Sequence, residues 1–169
     1  KIMEESYEIY HPYTELEKAR ILYSKEEKDC QEEGGEIFRR LAENYPKEER
    51  IVCCYGRYCQ EKEKWDGLIK LYDGVLEVSP ESFLARTGRM EAVLQQGQYR
   101  KAREAILDLL EESPVDERLV EDLNKANVYV IAELEPKYKE SALNQDGLME
   151  LAWCYYQNSR FEDGIALLD

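Results

Sequence analysis

The apolar positions of this chain recur at a helical step. Between residues 65 and 80, Leu68, Ile69, Tyr72, Val75 and Leu76 fall three or four residues apart. That spacing places them on one face of an amphipathic helix and is incompatible with the period of two of a half-buried strand. Pro80 supplies the stop, since proline cannot continue a helix and restricts the residue before it. The same arrangement appears one step later, with Ala102, Ile106, Leu109 and Leu110 before Pro114, and one step earlier, with Ile37, Phe38, Leu41 and Ala42 before Pro46. The interval from Pro12 to Pro46, from Pro46 to Pro80 and from Pro80 to Pro114 is the same each time, about 34 residues, a length typical of helical repeats. Each of these helices is preceded by another. Glu48 to Glu61 carries Ile51, Val52, Tyr55, Tyr58 and Cys59; Ser82 to Gln96 carries Phe83, Leu84, Met90, Val93 and Leu94. Helices of this length joined by short turns must lie antiparallel to their neighbours. The expected fold class is therefore all-α, built from helix pairs at a constant step.

The ends are less regular. Met3 to Tyr10 reads as a helix stopping before Pro12, after which Thr14 caps a second helix with Leu16, Ala19, Ile21, Leu22 and Tyr23 on its apolar side, ending near Lys28. Its partner is expected at about Gln31 to Asn44. After Pro114, Asp116 is expected to cap a helix over about Glu117 to Leu134, followed by a short, charged, Pro136-containing segment to Asn144. Gln145 to Asn158 reads as a good first helix, Ser159 as a turn, and Arg160 to Gly164 as the start of its partner. The pattern divides into repeats of about 15–48, 49–82 and 83–116, a degenerate unit at 117–144 and a partial repeat at 145–169, and reads as a piece of a longer protein.

On these residues the unit resembles a tetratricopeptide repeat. Gly56 stands where that motif wants a small residue at the helix crossing, and Gly97 stands at the turn. Trp65, Tyr99 and Phe161 match the aromatic that opens the second helix. Ala102, Gly34 and Gly164 match the small site within it, from which Leu68 departs. Phe38, Tyr72, Ile106 and Leu168 match the large apolar site four residues on. The resemblance implies a right-handed superhelix whose first helices line a concave groove that receives a peptide or a partner's helix. The matching groove positions are Arg20, Tyr23, Arg50, Cys54, Arg57, Thr87, Glu91, Glu150, Trp153 and Tyr156. Aromatic anchoring is expected from Tyr23, Trp153 and Tyr156, and steering from Arg20 and Arg57. The carboxylate clamp of chaperone-binding members finds no match, because Ala19, Tyr23, Cys54, Leu84 and Gly88 occupy its places.

Charge narrows the choice of partner. The 169 residues hold 37 acids against 23 bases, a net charge of −14, which argues against nucleic acid and against an anionic membrane surface. No apolar run approaches the roughly 18 residues that cross a bilayer. Cys30, Cys53, Cys54, Cys59 and Cys154 form no metal-binding spacing, and His11 is the only histidine, so no metal or cofactor is expected, and free thiols point to a reducing, cytoplasmic setting. Phosphate loops and nucleophile or zinc motifs are missing, and the acid pairs fall in turns or on polar faces. The expectation is a non-enzymatic protein-interaction module. The alternative is a structural or oligomerising segment, and an exposed Tyr or Trp at the C-terminal end would favour it.

Overall fold

A computed structural model describes residues 2–167, with side chains from residue 12 onward. Within them the chain is all-α, with nine helices: α1 (Ile2–Tyr23), α2 (Lys28–Asn44), α3 (Glu49–Glu61), α4 (Trp65–Val78), α5 (Phe83–Gln95), α6 (Tyr99–Glu112), α7 (Glu117–Lys139), α8 (Gln145–Gln157) and α9 (Phe161–Ala166). The first helices α3, α5 and α7 begin at Glu49, Phe83 and Glu117, and the second helices α4 and α6 begin at Trp65 and Tyr99, the same step each time. The chain divides into two compact units, residues 1–89 and 90–169, with the division inside α5. In the first, α1 packs on α2, α2 on α3, and α3 on α4; in the second, α6 packs on α7, α7 on α8, and α8 on α9.

The periodic core is real. Leu41, Val75 and Leu109 occupy one repeat position and are buried, as are Phe38, Tyr72 and Ile106 at another. The second helices end alike: the amides of Tyr45, Ser79 and Ser113 donate to the carbonyls of Leu41, Val75 and Leu109, satisfying carbonyls that a helix end would leave bare. Gly97 takes the turn into α6 with φ +74°, a left-handed conformation that glycine adopts without steric cost. Glu63 and Ser159 hold the same conformation at the matching turns. Gly56 lies at the α3–α4 crossing, where a Cβ would meet the Tyr72 hydroxyl at 3.1 Å. Between repeats the approach is closer. A Cβ on Gly35 of α2 would fall 2.1 Å from the Tyr58 ring of α3, and one on Gly88 of α5 would fall 2.3 Å from the Tyr72 ring of α4.

Four boundary expectations are corrected. Pro12 does not stop a helix: α1 runs unbroken from Ile2 to Tyr23. The proline forfeits a backbone bond and crowds the preceding turn, and packing of α1 on α2, with Gly34 against Ala19 and Tyr23, continues beyond it. Thr14 consequently lies inside α1 and not at its N-cap. The helix ends at Tyr23 rather than near Lys28, and α2 starts at Lys28 rather than Gln31, with the side chain of Glu27 at its N-cap accepting from no helix amide. Finally, α7 continues through Pro136 to Lys139. Pro136 and Ala132, whose carbonyl loses its donor, are both exposed, so water can serve that carbonyl. The cap on Asp116 is as expected, with its carboxylate accepting from the amides of Arg118 and Leu119 at 3.0 and 3.1 Å. Leu168 and the side chain of His11 lie outside the described residues.

Candidate functional site

The groove residues named from the sequence fall into three groups. In the first unit, Glu17 holds two of the arginines: Arg20 Nη1 donates to it at 3.0 Å and Arg50 Nη2 at 2.6 Å. Arg50 also lies over the Tyr13 ring at 5.9 Å, and the Tyr13 hydroxyl donates to Glu48 at 2.6 Å. Two guanidiniums share the Glu17 carboxylate here, and Glu48 beside Tyr13 brings a second acid to the cluster. Arg57 is exposed and meets no described carboxylate. Cys54 is half-buried beside it on α3. Thr87 is turned inward on its own helix, its hydroxyl donating to the Phe83 carbonyl at 2.8 Å.

Tyr23 is taken up by the fold. Its hydroxyl donates to Glu61, and its ring meets Phe38 and Tyr58 edge-on at 6.0 and 5.4 Å. Burial and the Glu61 carboxylate together push its pKa up to about 12. Burial first, then the acceptor Glu135, does the same to Tyr155, also to about 12. Both phenols favour the neutral form in the fold. Their stabilising contribution is therefore complete below pH 10 and is lost as pH rises toward 12. Thermal unfolding between pH 10 and 12 is expected to show that loss, with a shallower dependence in the Tyr23→Phe, Tyr155→Phe double variant. An unchanged slope would refute the assignment.

In the second unit, Glu91 pairs with Arg118 at 2.8 Å, and Glu150 accepts from Arg100 at 2.6 Å. Trp153 and Tyr156 behave differently. They are 54% and 58% exposed, and their rings stack at 5.4 Å and 21°. Phe161 meets Tyr156 edge-on at 5.7 Å. Met149 and Ile165, at 59% and 62% exposure, complete an open groove of about 320 Å³ between α8 and α9. Sequence reasoning placed Trp153 and Tyr156 but not Met149, Phe161 or Ile165 as its lining. The signal was present as the four-residue steps Met149–Trp153 and Phe161–Ile165, which put two apolar pairs on adjoining helix faces.

The remaining chemistry is quiet. All five cysteines are free thiols. Burial raises the pKa of Cys53, Cys59 and Cys154, and hydrogen bonding to Glu27 raises that of Cys30, which lowers the thiolate fraction a nucleophile or metal ligand needs. Glu36 is held below its usual range by Arg39, and Glu133 by Lys137 and Arg100. Among the described residues no cluster of His, Cys, Asp and Glu could hold a metal ion. No described helix is long and apolar enough to cross a membrane.

The absence of strands among the described residues and the helix pairs at a fixed step define an all-α helical-repeat protein. Among solved structures the chain is similar to MamA from Desulfovibrio magneticus RS-1, residue 41 to the end, a tetratricopeptide-like helical solenoid. The TM-score is 0.53 at 14% identity, covering 91% of each chain. A double mutant of MamA RS-1 is similar with a TM-score of 0.54 at 14% identity, covering 91% of this chain and 90% of that one. At this identity the likeness speaks for the fold alone. No protein-family model matches the sequence, and no curated protein does.

Proposed function

We propose that this protein is a non-enzymatic interaction module of the tetratricopeptide type, with repeats at about 15–48, 49–82 and 83–116, that binds a peptide or helix of a partner protein on its first-helix faces. The observation that carries this reading is the bare apolar surface of Met149, Trp153, Tyr156, Phe161 and Ile165. Large aromatic side chains left in water at one place on a protein mark interaction sites. In the first unit, by itself, Arg57 and the Arg20–Glu17–Arg50 cluster offer cations to carboxylates of a partner. The raised thiols and depressed carboxylates support a non-catalytic role, because acid–base work needs groups poised near the working pH.

An array of diverse peptides probed with the labelled chain tests the reading. Bound sequences are expected to be apolar or aromatic where binding depends on Trp153 and Tyr156, and acidic where it depends on Arg57. Trp153→Ala with Tyr156→Ala, and separately Arg57→Glu, are each expected to lower the signal at least about tenfold. A substitution at Val115, which is 90% exposed and remote in sequence from these residues, serves as the control. Equal binding by all four proteins would refute the reading. The exposed Trp153 and Tyr156 also favour a second one, in which the face joins copies of this chain and positions neighbouring domains. Sedimentation of the chain alone separates the two, since self-association gives a dimer without added partner.

A further inference from the structure

Tyr99 and Tyr129 form the closest ring pair among the described residues. Tyr99 opens α6 and Tyr129 lies near the middle of α7. Their rings stand face to face, with centroids 3.7 Å apart and planes 3° from parallel. The Tyr99 hydroxyl is hydrogen-bonded to that of Tyr129, which raises its pKa above the usual phenol value. Both phenol oxygens therefore sit at the same end of the stack, and each ring carbon ortho to oxygen faces a counterpart across the gap. Aromatic pairs ordinarily settle edge-to-face or offset, with centroids about 4.5–7 Å apart. The other tyrosine pairs in the first unit keep that spacing: Tyr23 meets Tyr58 edge-on at 5.4 Å, and Tyr55 lies 6.1 Å from Tyr58.

The repeat does not account for the second ring. Tyr99 matches Trp65 as the aromatic that opens a second helix, but positions 61 and 95, in register with 129, hold Glu61 and Gln95. Tyr129 thus places a large aromatic, 51% exposed, where the other repeats are polar. An open groove of about 360 Å³, bounded by Gly97, Arg100 and Glu133, lies against both rings. It leaves them within reach of solvent and gives them room to turn. Cys154, the only cysteine among residues 90–169, is buried, so the unit presents no exposed thiol that would reduce a tyrosyl radical first.

We propose that Tyr99 and Tyr129 are a site of oxidative cross-linking, joined through their ortho carbons into one dityrosine by a peroxide-driven one-electron oxidant of the haem-peroxidase class. Two one-electron oxidations take a hydrogen atom from each hydroxyl and leave two phenoxyl radicals. Unpaired density at the facing ortho carbons pairs to form a carbon–carbon bond. The proton on each bonded carbon then moves to a phenolic oxygen, which restores both aromatic rings. The two hydrogens removed reduce one hydrogen peroxide to two waters, so the chain ends two hydrogens lighter. The new bond ties the start of α6 to α7 and closes the segment 99–129, which removes conformational freedom from the unfolded chain. The product is a covalent staple on the second unit, and it stands whether or not the chain binds a partner.

The test treats the whole chain, dilute and folded, with a haem peroxidase and one equivalent of hydrogen peroxide, and then digests it with trypsin. Cleavage after Arg89, Arg100, Lys125 and Lys137 releases residues 90–100 and 126–137, which hold Tyr99 and Tyr129 respectively and no other tyrosine. The monomer fraction is expected to yield these two peptides joined, with the blue fluorescence of a biphenol. Tyr129→Phe keeps the ring and is expected to abolish the joined peptide. Tyr138→Phe, at a tyrosine 41% exposed and outside the pair, is expected to leave its yield unchanged. The cross-linked chain is expected to unfold at least about 5 °C above the untreated one, as closing a loop of this length implies for a unit of this size. Absence of the joined peptide from the monomer, its equal yield in urea, or dityrosine found only between copies overturns the proposal. A joined chain with an unchanged unfolding midpoint overturns the staple.

Discussion

Asn127→Leu is expected to destabilise the second unit by about 3–5 kcal/mol, and Arg103→Met in the same chain to recover most of that loss. Arg103 is 9% exposed and Asn127 is fully buried, yet no described carboxylate pairs with this arginine. Its Nε donates to Asn127 Oδ1 at 2.7 Å, and its Nη2 donates to Gln157 Oε1 at 3.0 Å. Asn127 Nδ2 passes the connection on to Asn158 Oδ1 at 3.0 Å, and Asn158 Nδ2 donates to the Asn124 carbonyl at 3.3 Å. Neutral amides from α7, the end of α8 and the turn after it thus hold one cation. Removing Asn127 takes one of two acceptors from a buried cation, whereas replacing both partners with apolar groups leaves only the half-buried amides of Gln157 and Asn158, which water can reach. Urea unfolding of the two single variants and the double variant forms a cycle that measures their coupling. A single-variant loss below about 1 kcal/mol, the size of an ordinary exposed hydrogen bond, would show that water reaches Arg103.

Leu109→Ala is expected to cost about 2–5 kcal/mol, from lost transfer free energy and the cavity left behind. Leu109 is 1% exposed and shares its repeat position with Leu41 and Val75. Val75→Ala removes less volume and is expected to cost correspondingly less. The order Leu109 above Val75 in urea midpoints, at constant slope, checks the assignment. A reversed order would mean that the position is not equivalent between the two helices. Loss of cooperativity in either variant would show the two units unfolding separately, as arrays stabilised by nearest-neighbour contacts do when one unit is weakened.

Which helices exist, and at what step, was legible in the chain because amphipathic spacing and proline positions are local properties. The regular recurrence of Leu41, Val75 and Leu109 needed no tertiary information, and neither did the Asp116 cap or the turn at Gly97. Local rules misplaced the ends. Pro12 and Pro136 look like stops, but the lost backbone bond and the crowding by the ring are offset by continued packing or by exposure to water. The polar cluster around Arg103 was not legible, since Asn127, Gln157 and Asn158 come from later helices and turns, far along the chain, and carry no motif. Among the groove residues, sequence position alone could not say that Tyr23 is spent on Glu61, Phe38 and Tyr58 while its equivalent Trp153 stands bare. Periodicity tells which side of a helix is apolar. Only the arrangement of neighbouring helices decides whether that side is covered, and at α8 and α9 it is not.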